Sequence, residues 1–485
     1  MKERIKRGIT LLLTAAMMLS CASCKKEEAV DEIPTLKWYL PGEAQADQAS
    51  VTERINEILI EKAGCKLEFA YLDAGVYTEK MQMMMASRDP YDLCFTGYVN
   101  PYVKAARTGG LLAIDEYLKA SPALIESLPE YALQAAKVDG KIYGIPNMQV
   151  MANSVGLFLL EDLVNEYGKL NIEEIKDVED IEPFLQWVKE THPEKYPFKS
   201  GQPGGNRFQS NGVELVGEIC KGVIVVNDNG EIKATVSIKN EERLFESRLV
   251  EDWFKKGYIR SDVALVTDDS SDEKANKYAA WRGVYKPGAD AETTSQRGTG
   301  VLCVELSEKA TIPYTAGRTT MIGVGKNTRY PEKAVKVIEL VNTDKELYNL
   351  ICFGIEGKHY TLAEDGITVN VIEGAGYNPG SSWRFGNVFN ALLLPGQDAD
   401  VWKQTEEFNN TAEASPILGF NFDNMSVRTE IAQLETVFGK YTSFEKGFLE
   451  LDSYYDEFVK EVEKAGVQKV IDEVNKQLEE FFAAQ

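Results

Sequence analysis

The sequence predicts an α/β protein of more than one domain, and three observations lead there. The chain has 485 residues, more than a single hydrophobic core ordinarily serves. Its first ordered stretch reads strand, helix, strand, helix, strand, the pattern of a largely parallel sheet with covering helices. Its end is helical, because Val467, Val470, Ile471, Val474, Leu478 and Phe481 recur at a period of 3.6. The 44% apolar and 27% charged composition is that of a globular chain and excludes collagen, extended disorder and a disulfide scaffold.

The extreme N-terminus reads differently. Lys2, Arg4, Lys6 and Arg7 form a basic leader before the apolar run from Ile9 to Leu19. That run is too short for a permanent membrane span, so residues 1–23 read as an export signal. Ala22 and Ser23 stand before Cys24, as small residues do in a bacterial lipobox, and Cys24 is the expected lipidation point. Cys21, after Met18-Leu19-Ser20, is the alternative. Residues 24–35 are charged at first and aperiodic, and read as a tether.

Order begins at Leu36–Leu40, an alternating strand that runs into Pro41-Gly42. Val51, Ile55, Ile58 and Leu59 mark one face of a helix. Cys65, Leu67, Phe69 and Tyr71 alternate as a second strand, Met81, Met84 and Met85 suggest another helix, and residues 91–96 a third strand. Asp139-Gly140 predicts a hairpin turn before a strand ending at Pro146. Helical patterns cover 181–190 and 241–256 among shorter strands, and 199–210 reads as an exposed polar loop. Two more helices are expected over 331–342, with Pro331 in the first turn, and over 344–352. No repeat of 20–50 residues is visible.

Charge and chemistry narrow the function. The 53 basic residues face 76 acidic ones, for a net charge of −23, which disfavours nucleic acid and anionic lipid surfaces as partners. Cys65, Cys94, Cys220, Cys303 and Cys352 lie far apart without a C-x-x-C spacing, so neither zinc nor redox chemistry is indicated. Buried thiols are expected, with one disulfide left open. Two isolated histidines, His192 and His359, make histidine triads and multi-histidine metal sites hard to build. There is no nucleophile elbow, phosphate loop or H-E-x-x-H. A carboxylate pair for glycoside hydrolysis stays open, because the separation of acids is not legible in sequence. No cofactor or metal is expected.

The positive signal is aromatic and amide residues where strands end. Sugars offer apolar faces to aromatic rings and hydroxyl rims to amides and guanidinium groups, and open α/β sheets bind ligands beyond their carboxyl ends. Such clusters are Trp38-Tyr39 with Asp47 downstream, Phe95–Asn100, Pro146–Gln149, Trp281–Gly288 and Ser382–Asn387. Trp281, Trp383 and Tyr98 are the expected stacking platforms. Asn100, Asn147, Gln149, Arg384 and Asn387 are the expected hydroxyl binders, with Asp47 beside them.

Several of these stretches carry a family likeness. The lipoprotein leader and the Tyr143-Gly144-Ile145-Pro146 crossing resemble extracellular solute-binding lipoproteins of carbohydrate ABC importers, family 1 type. Asn342–Leu350, Phe353–Tyr360, Trp383–Asn387 and Ser415–Asp423 resemble the LplA-like subfamily with its C-terminal domain of unknown function. The resemblance implies a two-lobe periplasmic-binding-protein type II (Venus flytrap) fold with a helical C-terminal region. One lobe would take 36–145 plus about 300–350. The other would take 146–299 plus about 351–485 with the C-terminal helices. It implies a monomer on the extracellular face of the cytoplasmic membrane, held by its lipid. The monomer would close on a carbohydrate, expected to be an oligosaccharide, and dock on an ABC permease. A binding protein for peptide or another polar solute, a secreted carbohydrate-active enzyme and a purely structural surface lipoprotein are the rival readings.

Overall fold

A computed structural model describes residues 33–484, apart from 200–212, 267–268, 308 and 449. The leader, both lipidation candidates, most of the tether and nearly all of the 199–210 loop lie outside the described residues. Among the described residues no helix is long and apolar enough to cross a membrane.

Strands β1 (Thr35–Pro41), β2 (Lys66–Leu72) and β3 (Leu93–Gly97) alternate with helices α1 (Gln48–Ala63) and α2 (Ala74–Ser87). A short hairpin then leads to β4 (Gly144–Pro146). The chain crosses to β5 (Val155–Leu160) and β6 (Tyr196–Phe198). A meander follows as β7 (Val213–Cys220), β8 (Val223–Asp228) and β9 (Glu231–Val236). Helix α3 (Glu241–Lys256), β10 (Tyr278–Val284) and β11 (Val301–Glu305) complete that side. The chain then recrosses to β12 (Thr320–Val324), α4 (Pro331–Thr343) and α5 (Lys345–Phe353). It ends in α6 (Val401–Thr411), α7 (Arg428–Lys440), α8 (Leu451–Lys464) and α9 (Val467–Ala483).

Two sheets organise these strands. The first has the order β2-β1-β3-β12-β4, with β12 antiparallel to both neighbours. The second has the order β11-β5-β10-β6, with β5 antiparallel to both neighbours and β10 parallel to β6. Each sheet therefore holds one reversed strand, and each reversed strand is the first laid down after a crossing. This construction brings the carboxyl ends of the parallel strands to the crossings. Tyr98 N–H, at the end of β3, donates to Thr319 O. Tyr285 N–H, after β10, donates to Ser154 O, and Leu306 N–H, after β11, donates to Val155 O.

Three hydrophobic cores follow. The first gathers Trp38, Leu59, Phe95, Ile145, Ile322 and Val337. The second is built from Leu157, Phe184, Trp253, Tyr278 and Val301. The third joins Val216 and Val225 of the meander, and Ile238 just after it, to Phe420, Leu434, Phe458 and Val474 of the C-terminal region. This differs from the boundaries read in sequence. Strand β11 pairs in the second sheet, whereas Cys352, Tyr377, Phe385, Val388 and Ala391 pack in the first core. A hydrophobic stripe shows that an element buries a face, not against which partner.

The third core touches both lobes. Helix α3 places Val250 and Trp253 in the second core, while Leu244 packs on the third. On the other side Arg318, 8% exposed, donates to the carbonyls of Ala135, Lys137, Gly419 and Phe420. Its guanidinium pKa is pushed down to about 10 by burial, and those four carbonyls supply the acceptors that a desolvated cation needs.

Candidate ligand-binding cleft

Three passages lie between the sheets. Residues 147–154 run from β4 to β5, and 306–319 from β11 to β12. They pair where Asn153 and Thr311 exchange backbone hydrogen bonds of 2.6 and 3.1 Å. Helix α6 runs beside them towards the third core. Asn409 on α6, 2% exposed, accepts from Met151 N at 2.7 Å and Ala152 N at 3.0 Å, and donates to Gln149 O at 2.7 Å. Its amide thereby satisfies backbone groups of a segment that pairs in neither sheet.

An aromatic shelf stands at the carboxyl end of β3. Gly97 has φ +146°, and a Cβ there would lie 2.1 Å from Thr319 O, so glycine lets the strand end meet the crossing. Tyr98, next in the chain, is 59% exposed. Its ring lies 5.5 Å from Phe95 and 6.0 Å from Trp383, and Phe95 lies 6.3 Å from Trp383. Trp383 is half-buried on a 3-10 turn, Ser382–Arg384. The next residue, Arg384, donates from Nε to Ser381 Oγ at 2.8 Å and from Nη1 to Pro41 O at 2.7 Å. Its guanidinium carbon sits 5.8 Å from the Trp383 ring and 5.5 Å from Phe385. Burial lowers its pKa from the ordinary arginine value.

The register extends this surface. Gly97 lies opposite Thr320, and Thr320 O accepts from Asn147 N. Opposed residues share a sheet face and alternate along each strand, so Phe95, Thr320 and Asn147 lie on one face, the face on which Trp383 packs. Gln149 Nε2 donates to Thr320 Oγ1 at 2.6 Å. Asn147 is fully buried, and its side-chain nitrogen and oxygen have no hydrogen-bond partner among the described residues.

The structure thus gathers Tyr98, Trp383, Arg384, Asn147 and Gln149 at the crossings. The other expected site residues are engaged elsewhere. Trp281 is 7% exposed, stacked on Phe158 at 5.7 Å and 6°, with the Arg297 guanidinium 3.9 Å from its ring. It is a core residue of the second lobe, not a platform. Asn100 is 1% exposed in a left-handed conformation at φ +52°, and its carbonyl accepts from Gly97 N and Thr96 Oγ1. It shapes the turn after β3. Asn387 caps a short 3-10 turn by accepting from Phe389 N at 3.0 Å.

Asp47 is spoken for as well. Its carboxylate pairs with Lys358 Nζ at 2.5 Å and His359 Nε2 at 2.8 Å. His359 Nδ1 accepts from Ile355 N, so Nε2 carries the proton that it donates to Asp47. The Lys358 hydrogen bond, chiefly, holds the Asp47 carboxyl well below the usual carboxylate range.

Residues that sequence reasoning passed over lie at the matching ends of the second sheet. Val284 closes β10 with 56% exposure. Tyr285 follows it, its ring 5.9 Å from Phe408 of α6. Both stand in the Trp281–Gly288 cluster, where the tryptophan drew attention instead. Among the described residues no group of three or more His, Cys, Asp and Glu is placed to hold a metal. The five cysteines among the described residues form no disulfide with one another, and burial pushes the Cys65 thiol up to about 11 and Cys352 to about 12.

Two α/β lobes, each with one reversed strand, whose parallel strand ends meet at crossing segments, make up the two-lobed type II architecture of solute-binding proteins. Residues 416–483 match the family model DUF3502, a domain of unknown function. Over the whole length the chain is 26% identical to a Streptococcus pneumoniae serotype 4 protein named carbohydrate ABC transporter substrate-binding protein. That alignment covers 97% of this chain and 96% of the other. Among solved structures, the N-glycan transport solute-binding protein NgtS of Streptococcus pneumoniae superposes with a TM-score of 0.83 at 24% identity. It covers 92% of this chain and 99% of NgtS. The Streptococcus pneumoniae ABC-transporter substrate-binding protein FusA, in complex with kestose, gives a TM-score of 0.62 at 14% identity over 93% and 100% of the two chains.

Proposed function

We propose that this chain is a lipid-anchored extracellular solute-binding protein that captures a carbohydrate, in particular an oligosaccharide, between its lobes and presents it to an ABC permease. The observation that carries the reading is the Phe95–Tyr98–Trp383 shelf, exposed at Tyr98, with Arg384, Gln149 and Thr320 beside it where the strand ends reach the crossings. Ring faces suit the apolar faces of sugars, and neighbouring amide, hydroxyl and guanidinium groups suit their rims. The whole-length likeness to a carbohydrate ABC transporter substrate-binding protein supports the same reading, as does the crystal structure of NgtS in complex with Man5GlcNAc.

Nothing in the reading requires the ligand to be altered. Sugar bound by one lobe is covered by the other, and contacts from both sides stabilise the closed form. The acylated cysteine keeps the monomer near its permease without a spanning helix. A thermal-shift screen of the mature protein against mono- and oligosaccharides tests this. A true ligand raises the melting temperature with concentration by mass action, and chromatography of the mixture recovers it intact. A panel that leaves the melting temperature unmoved, or a sugar returned cleaved, removes the reading.

A further inference from the structure

Two of the buried or half-buried arginines have their donors consumed by the fold. Arg318 gives its guanidinium to four carbonyls. Arg260 is paired with Asp262 and Asp272 at 2.6 Å each.

Arg384 is unlike them. Nε and Nη1 are held by Ser381 Oγ and Pro41 O, and Nη2 bonds to no atom of the described residues. No carboxylate is paired with it among those residues. The groups that act on its charge are the phenols of Tyr71, Tyr98 and Tyr377. The rings of Trp383 and Phe385 attract a cation but offer no acceptor for its N–H groups.

A half-buried guanidinium without a counter-ion has lost part of its hydration with no opposite charge in exchange. It is the more unexpected in a chain with 76 acidic residues, and it stands beside the exposed ring of the shelf. Two of its nitrogens are already fixed, so its remaining edge is pre-oriented. A planar fork of this kind pairs bidentately with oxyanions, carboxylate and phosphate alike, and a carboxylate is the oxyanion that a uronic sugar residue carries.

We infer that Arg384 is a specificity-determining residue that receives a carboxylate carried by the bound sugar, so that the preferred ligands are acidic oligosaccharides with a uronic or other carboxylated residue stacked on Tyr98 and Trp383. The inference rests on the carbohydrate reading above. The net charge of −23 does not oppose it at contact range, because charges beyond about 8–10 Å are screened at physiological salt.

The test uses the mature protein and pairs of oligosaccharides identical except for a carboxylate in place of the C6 hydroxymethyl group on one terminal residue. Isothermal titration is expected to show the acidic member of a pair binding about tenfold tighter or more, a preference that shrinks at high salt. Arg384→Gln abolishes the preference while its unliganded melting temperature stays within a few degrees of wild type. Arg384→Lys keeps part of it, because charge survives and the fork does not. If neutral members bind as tightly as acidic ones, and Arg384→Gln weakens both alike, the inference falls and the carbohydrate reading stands. If no member of any pair binds, both fall.

Discussion

Two tryptophans followed by arginine, Trp281-Arg282 and Trp383-Arg384, have opposite surroundings. Trp281 lies in β10 after Tyr278, Ala279 and Ala280, all buried, as the central strands of a covered sheet are. Trp383 follows Pro379-Gly380-Ser381-Ser382, a loop sequence, and its partners Phe95 in β3 and Tyr98 just after it make it part of a surface. That contrast is partly legible: an unbroken apolar run predicts a buried ring, whereas a ring after Gly and Ser is freer to face solvent. What sequence does not disclose is that Asn100 has φ +52° and turns its amide into the fold. Trp281→Ala is therefore expected to cost about 3–5 kcal/mol of stability, as large-to-small core changes do. Trp383→Ala should leave the urea midpoint close to wild type and weaken sugar binding about tenfold or more. Urea titration and calorimetry on the two variants check the pair, and the reverse assignment of losses would overturn it.

At the scale of elements, periodicity found helices well and their attachments poorly. Val51, Ile55, Ile58 and Leu59, expected on one face of α1, are all buried. The same reading placed Asp47 in the cleft because it follows the first strand. It instead pins the start of α1 to the segment after α5, through Lys358 and His359, the latter 312 residues along the chain. Such long-range pairs leave no local trace. The meander at 213–236 falls in a stretch read only as shorter strands among helices, and its separate three-stranded sheet, covered by the C-terminal helices together with Ile417 and Phe420, was not foreseen. The Asp47 pairing has a consequence for pH. Its carboxyl pKa is lowered in the folded state, so the unfolded chain binds the proton more readily. The stabilisation is fully present above the unfolded carboxylate value of about 4 and drains away as pH falls below it. Asp47→Asn removes that protonation step. The wild-type urea midpoint should therefore drop more between pH 6 and pH 3 than the variant's does, and equal drops would assign the acid sensitivity elsewhere.

For the whole molecule, the two-lobe plan was legible from strand–helix alternation and from the family likeness, whereas the third core was not. That core is built from chain segments far apart. Val216, Val223, Val225 and Ala234 come from a meander inserted in the second lobe, and Leu434, Phe458, Val470 and Val474 from the C-terminal helices. Neither set can bury its apolar face alone. A meander with its apolar face left in water forgoes the stabilisation of burying that face, and amphipathic helices depend on tertiary packing for most of their stability. The matched region 416–483 is thus a structural half of a domain rather than an appendage. Ending the chain after Ser415 would strip the meander of its cover. It would also remove Gly419 and Phe420, which accept from Arg318, leaving a buried guanidinium with half of its acceptors. The truncated protein is expected to bind hydrophobic dye strongly and to lose cooperative unfolding for the second lobe together with the meander, because α3 is shared between those cores. Calorimetry and dye fluorescence of residues 25–415 against 25–485 measure this. A truncated protein that stays monomeric, excludes dye and melts in one transition at the parent temperature would mean that the C-terminal helices are dispensable to the fold, and that the third core has another cover.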